Sequence, residues 1–134
     1  MPTIRAALEL NRQNPSKAVE ILQTAAPYEL GEPDPAPELG GYLYPVYLRG
    51  QAYLALHQGS AAVAEFLKFI DNRGVVINCP LSALAHLGLA RAYSSQGDTS
   101  KARAAYQDFL RLWKDADPEI LILKDAKAEY AKLQ

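Results

Sequence analysis

Apolar residues recur along most of the chain at helical rather than strand spacing, as in Leu84, Leu87, Leu89 and Tyr93 and again in Ala102, Tyr106, Phe109 and Trp113. A helix of 3.6 residues per turn gathers such positions on one face, whereas a strand of period two scatters them over both. The pattern predicts an all-α fold with helices at about 3–12, 15–26, 42–57, 60–72, 80–96, 99–114 and 118–133. Most connections are short, so neighbouring helices are expected to run antiparallel as hairpins at about 3–26, 42–72 and 80–114, with 118–133 as a capping helix.

Local chemistry marks the ends. "NPSKA" sets Asn14 as an N-cap with Pro15 in the first turn, where a missing N–H costs nothing. "CPLSA" puts Pro80 at a helix start, and "DPEI" offers Asp117 as cap, Pro118 as first residue and Glu119 at the positive end of the dipole. In "DNRG", Arg73 and Gly74 read as a C-terminal cap. The stretch from Pro27 to Pro45 holds five prolines and three glycines. That composition disfavours helix and predicts a rigid, partly extended insert, residues 27–41, which acts as a spacer or as a polyproline ligand for another protein.

A repeat underlies the helices. The second helix of each hairpin carries a small residue, an apolar residue four later and another three beyond: Ala18, Leu22, Ala25; Ala62, Phe66, Phe69; Ala102, Tyr106, Phe109. These triplets lie 44 and 40 residues apart, and Gly50 and Tyr53 precede Ala62 by the 12 and 9 residues that separate Ala90 and Tyr93 from Ala102. A small side chain at the crossing lets two helices approach closely, while aromatics fill the gap to the next hairpin.

In this respect the chain resembles the tetratricopeptide repeat. Leu89, Ala90, Tyr93, Gly97, Asp98, Ala102, Tyr106 and Phe109 fit that family's pattern in the last unit. In the middle unit Arg49 stands where the family has leucine, and Gly59 falls two residues late, which predicts a longer hairpin turn. In the first unit Glu9 replaces the aromatic and the first helix looks short. The resemblance implies a right-handed superhelix of about three hairpins. Its last helix would cover the final hairpin with Ile120, Leu123, Tyr130 and Leu133 and turn its Lys and Glu to water. "EFLKFIDNRG" and "LARAYSSQGDTSKARAAYQDFLRLWKDADPEILILKDAKAEYAKLQ", within residues 63–134, also resemble the C-terminal end of bacterial receptor-like serine/threonine protein kinases that carry such repeats. The kinase itself is missing: the sequence has no glycine-rich phosphate loop, strand lysine, "HRD" or "DFG".

Charge narrows the function classes. A formal net charge of −1 with scattered lysines and arginines gives no basic face for phosphates, so nucleic acid is not expected as a partner. No apolar run is long enough to span a bilayer, and "MPTIRAALEL" lacks the blocks of a signal peptide. The expectation is one soluble domain over 1–134, on the cytoplasmic or extracytoplasmic side of a membrane-anchored parent. Cys79 is the only cysteine, with His57 and His86 the only histidines to serve it as base. It reads as a structural thiol, and the two histidines lack metal-ligand spacing. Gly40 and Gly41 run into Tyr-Leu-Tyr-Pro rather than a phosphate-loop lysine. Asp115, Asp117 and Glu119 read as a solvated turn. No catalytic residue, metal or cofactor is expected.

A surface is the better candidate. The family's groove positions map to Tyr44, Tyr47, Gln51 and Leu54 in the middle unit and to Leu84, Leu87, Arg91, Ser94 and Ser95 in the last. Arg91 would anchor an acidic group, and the Lys/Asn clamp of chaperone adaptors is missing. Tyr44 and Tyr47 serve either as groove contacts or as packing against the proline-rich insert. The first reading is a non-catalytic module for a protein or peptide partner, with a homodimer left open. The alternatives are a ligand- or peptide-sensing regulatory domain, the repeat part of a bacterial transcriptional regulator, or a small helical enzyme. A deep enclosed pocket with converging polar groups would favour a sensor or an enzyme, and an open groove would favour the module.

Overall fold

The small residues of the repeat set the packing. In the computed structural model, which describes residues 2–29, 43–72 and 80–134, they sit where helices cross. Seven α-helices are present among the described residues: α1 (Pro2–Asn11), α2 (Pro15–Gln23), α3 (Tyr44–Ala55), α4 (Gly59–Asp71), α5 (Pro80–Ser95), α6 (Thr99–Leu112) and α7 (Leu121–Ala131). The hairpin partners are α1 with α2, α3 with α4 and α5 with α6, and α2–α3 and α4–α5 contacts join the hairpins in series. The first helices form a row through α1–α3 and α3–α5 contacts, and α7 packs on α6. This is an all-α, tetratricopeptide-like helical array. Arg73, Gly74, Cys79 and most of the proline-rich insert, Gly40 and Gly41 included, lie outside the described residues.

Ala18, Ala62 and Ala102 are completely buried, as are Ala6 and Ala90 on the facing helices. The closest approach is around Phe66. A Cβ on Gly50 of α3 would meet its ring at 2.7 Å, and one on Gly88 of α5 at 2.5 Å. Phe66 is thus clamped between two first helices, and only glycine leaves room for it on either side. The Gly50 crossing was readable from the repeat; Gly88 was not, because no repeat position requires it.

The three hairpin turns are alike. Gln13, His57 and Gly97 each have positive φ (61°, 57° and 77°). In each turn this residue's N–H reaches back three residues, to Leu10, Leu54 and Ser94, and the next N–H reaches back five, to Glu9, Tyr53 and Tyr93. This is the Schellman closure of a helix C-terminus. The longer middle turn expected from Gly59 is therefore corrected: His57 takes the left-handed position, and Gly59 is the first residue of α4. A Cβ on Gly59 would lie 2.8 Å from Ser95 Oγ and 2.7 Å from Gln96 Cγ, so its smallness serves inter-hairpin contact rather than the turn. Beside it Gln96 Nε2 donates to Ser60 Oγ at 2.7 Å, tying successive turns together.

Other boundaries move for identifiable reasons. Asn14 precedes α2 as expected but makes no capping bond; its Nδ2 donates to Glu9 Oε2 at 3.1 Å. After α2 the chain forms a single 3₁₀ turn at Ala26–Tyr28, inside the stretch whose prolines argued against helix. Pro27 is accommodated there because a first-turn N–H has no helical acceptor to lose. Ala25, the last member of the first triplet, falls beyond the end of α2. The capping helix begins at Leu121 instead of 118, because Asp117 Oδ1 accepts from the N–H of Glu119 at 2.9 Å and holds the turn open. Asp98, by contrast, caps α6 as a side-chain acceptor for the N–H of Lys101.

Two apolar cores result. The larger joins α3 to α7 around Phe66, Phe69 and Phe109, and the smaller joins α1 and α2 to α3 around Ala6, Leu22 and Ala52. Between them lies Arg49, in the register of Leu89 and only 3% exposed. Its guanidinium donates to Glu29 at 2.6 and 2.9 Å, to Glu65 at 2.7 Å and to the Leu22 carbonyl at 3.2 Å. Lys68 also donates to Glu65, at 3.1 Å. Burial opposes the charge on Arg49, but the two carboxylates outweigh it and hold the guanidinium protonated above the ordinary arginine range. The residue that departs from the family's leucine thus binds the entry to the proline-rich insert, through Glu29, onto the second hairpin.

Candidate partner-binding groove

The nine residues expected to line a groove separate into three groups. Tyr44, Ser94 and Ser95 are exposed, and Tyr47, Gln51, Leu54, Leu84 and Arg91 are half-buried. Leu87, 1% exposed, belongs to the larger core. Its assignment to the groove is corrected: it shares the buried side of α5 with Gly88, beside Phe66. Leu54 and Leu84 pack against the same core with part of their surface open.

Tyr47 packs on the larger core with part of its surface open. Its ring meets Phe66 and Phe69 edge-on, with centroids 6.0 and 6.3 Å away, while its hydroxyl is bonded to the Gln51 side chain. Burial raises its pKa above the usual tyrosine value, only partly offset by Arg91, so it stays a neutral hydrogen-bonding group. The mutual influence of Tyr47 and Arg91 shows that α3 and α5 present these side chains to a common region.

At the centre Arg91 is already engaged. Its Nε donates to Glu129 Oε2 at 2.9 Å and its Nη2 to Oε1 at 2.8 Å, a bidentate fork. The Tyr106 hydroxyl donates to Glu129 Oε2 at 2.7 Å. Three donors from α5 and α6 therefore converge on one carboxylate supplied by α7. Burial disfavours the charge on Glu129, yet these bonds hold its carboxyl below the ordinary range. Burial and the neighbouring carboxylate push the Tyr106 phenol well above its usual value, which keeps it a donor.

Beside this constellation is an opening of about 390 Å³, lined by Arg91, Ser94, Ser95, Tyr106, Glu129, Lys132 and Leu133 and open to solvent on one side. Ser95 Oγ donates to the Ala92 carbonyl at 2.7 Å and keeps its lone pairs available. The structure thus brings Arg91, Ser94 and Ser95 together. It adds Tyr106, which the repeat marks as a packing residue, and Glu129 and Lys132, which the amphipathic pattern assigns to water. The available signal was the place of the capping helix: as the next element after α6, it turns one face toward the row of first helices. Ile120 is over a third exposed and so does not cover the final hairpin as expected; Leu123, Tyr130 and Leu133 do.

Among the described residues no group of three His, Cys, Asp or Glu gathers as a metal site, and no helix is long and apolar enough to cross a membrane. A family model described as tetratricopeptide repeat matches residues 47–118, from within α3 to the turn before α7. Neither the curated proteins nor the solved structures contain a significant match.

Proposed function

The chain belongs to the tetratricopeptide-repeat family, and on that premise we propose that it is a non-catalytic interaction module whose row of first helices binds an extended segment of a partner protein. The observation that carries this reading is the open, mixed surface formed across α3, α5 and α7. On α3, Tyr44 is exposed and Tyr47 and Gln51 are half-exposed, while Arg91, Ser94 and Ser95 of α5 border an opening shared with α7 rather than an enclosed cavity. Such a surface suits a peptide, which brings its own backbone donors and acceptors, better than a small molecule that needs most of its area enclosed. The resemblance of residues 63–134 to the C-terminal part of bacterial serine/threonine kinases supports a finer reading, in which the module recruits partners to a kinase-bearing parent.

Peptides selected from a displayed random library on the immobilised chain, then measured by fluorescence anisotropy, test the proposal. Tyr44→Ala and Gln51→Ala should each weaken the selected peptides by about 1 kcal/mol or more, about fivefold or above, as truncation of interface contacts does. Lys17→Ala and Arg103→Ala, on exposed faces of second helices, should leave them unchanged. Equal binding by wild type and the Tyr44 and Gln51 variants would place the site elsewhere.

A further inference from the structure

We infer that α7 is an internal ligand of the groove: Glu129 occupies a receptor built for an acidic side chain of the partner segment, and binding exchanges one carboxylate for the other. This rests on the groove reading above and adds to it the chemistry of the partner and the element that competes with it.

The receptor is defined by its donors. Nε and Nη2 of Arg91 and the hydroxyl of Tyr106 all point at a single carboxylate, at 2.7 to 2.9 Å. Among the described residues the long-range ion pairs are those of the Arg49 cluster and this one, and they differ in access. Arg49 and its carboxylates are almost sealed from water, whereas Arg91 and Glu129 each leave about a third of their side chains exposed, at 32% and 31%. An incoming carboxylate can therefore reach Arg91 from the solvent side. Space is available next to it in the opening of about 390 Å³. With Glu129 withdrawn, the Arg91 guanidinium leaves a positive charge there, accompanied by the hydroxyls of Tyr106, Ser94 and Ser95.

The element delivering Glu129 is lightly held. In α7 only Leu123 and Ala126 are buried, and Leu121 at its start is 76% exposed. Exchange preserves the number and kind of hydrogen bonds, so its balance is set by effective concentration. A tethered carboxylate competes at roughly millimolar strength, and a partner must exceed that through further contacts along α3 and α5. Removing the charge of Glu129 lifts this competition without touching the receptor.

A fluorescein-labelled hexaglutamate peptide, with hexalysine as control, tests the inference on the full chain at low ionic strength. Glu129→Gln should bind hexaglutamate at least about tenfold more tightly than wild type, and saturating peptide should speed hydrogen exchange in α7 of the wild type while α5 and α6 stay protected. The charge-swapped chain, Arg91→Glu with Glu129→Arg, retains an ion pair and should prefer hexalysine. Equal hexaglutamate affinity for wild type and Glu129→Gln would overturn the inference, as would a swapped chain with no preference between the peptides. If either occurs while library-selected peptides still depend on Tyr44 and Gln51, the groove reading stands and only the exchange falls.

Discussion

Two glycines separate the reasons a position has no side chain. Gly97 has φ of 77°, and a Cβ added there would meet nothing within 4 Å, so its constraint is the backbone alone. Gly97→Ala should cost about 1 kcal/mol, the penalty of an L-residue in the left-handed region. His57 and Gln13 bear that penalty already in equivalent turns. His57→Gly should therefore stabilise the chain by about 0.5 kcal/mol once the extra flexibility of glycine in the unfolded chain is subtracted. Gly88 is the opposite case. Alanine gains about 1 kcal/mol of helix propensity in an α-helix, but its Cβ would stand 2.5 Å from Phe66 Cζ. Overpacking of about 1–3 kcal/mol outweighs that gain, and Gly88→Ala should lower stability. Urea unfolding of the three variants gives the signs directly. The comparison also shows where sequence reading stops: a glycine at the usual turn position is legible, but a histidine doing the same work is not. Gly59 drew attention to itself for a reason that lies on a neighbouring hairpin.

At the scale of elements, the helices and their pairing were legible because every hairpin has the same small-apolar-apolar triplet and amphipathic spacing. Ends were less so. The capping helix starts three residues late because Asp117 spends its carboxylate on a turn rather than on a helix N-terminus, and the two uses look identical in "DPEI". The candidate site was half legible: family positions pointed to Arg91, Ser94 and Ser95, which the structure brings together, but not to the carboxylate that Arg91 binds, since a Glu on an amphipathic helix ordinarily faces water. That carboxylate makes α7 sensitive to acid. Glu129 faces Arg91 from α5, Tyr106 from α6 and Lys132 on its own helix, and they outweigh burial to depress its pKa. A depressed carboxylate contributes stability that is fully present above its unfolded pKa of about 4.3 and is lost as pH falls through the folded value. Hydrogen exchange in α7 should accordingly rise below about pH 4, and Glu129→Gln should abolish that rise. A profile unchanged by the substitution would mean that other carboxylates control the acid response of α7.

For the whole molecule, the unit of stability is the hairpin and its interface with the next. Two cores meet at α3, with Tyr53 packed against both, and the polar seam between them is the Arg49 cluster. A leucine would suit that register, as Leu89 does one repeat later, and the cost of arginine is the need to bury two carboxylates with it. Removing the cation alone is then worse than never having had it. Arg49→Leu leaves Glu29 and Glu65 facing each other in a nearly closed site with only the half-exposed Lys68 nearby. Breaking a buried pair in this way costs about 3–5 kcal/mol. Because the hairpins couple only to neighbours, the loss should fall unevenly: hydrogen exchange should accelerate in α1 and α2, which depend on the seam, while α5 and α6 stay protected. Adding Glu29→Leu and Glu65→Leu removes the orphaned charges and should recover most of the stability, since an apolar replacement of a whole buried cluster is often neutral or better. Uniform loss of protection across all helices in Arg49→Leu would show instead that the two cores unfold as one cooperative unit.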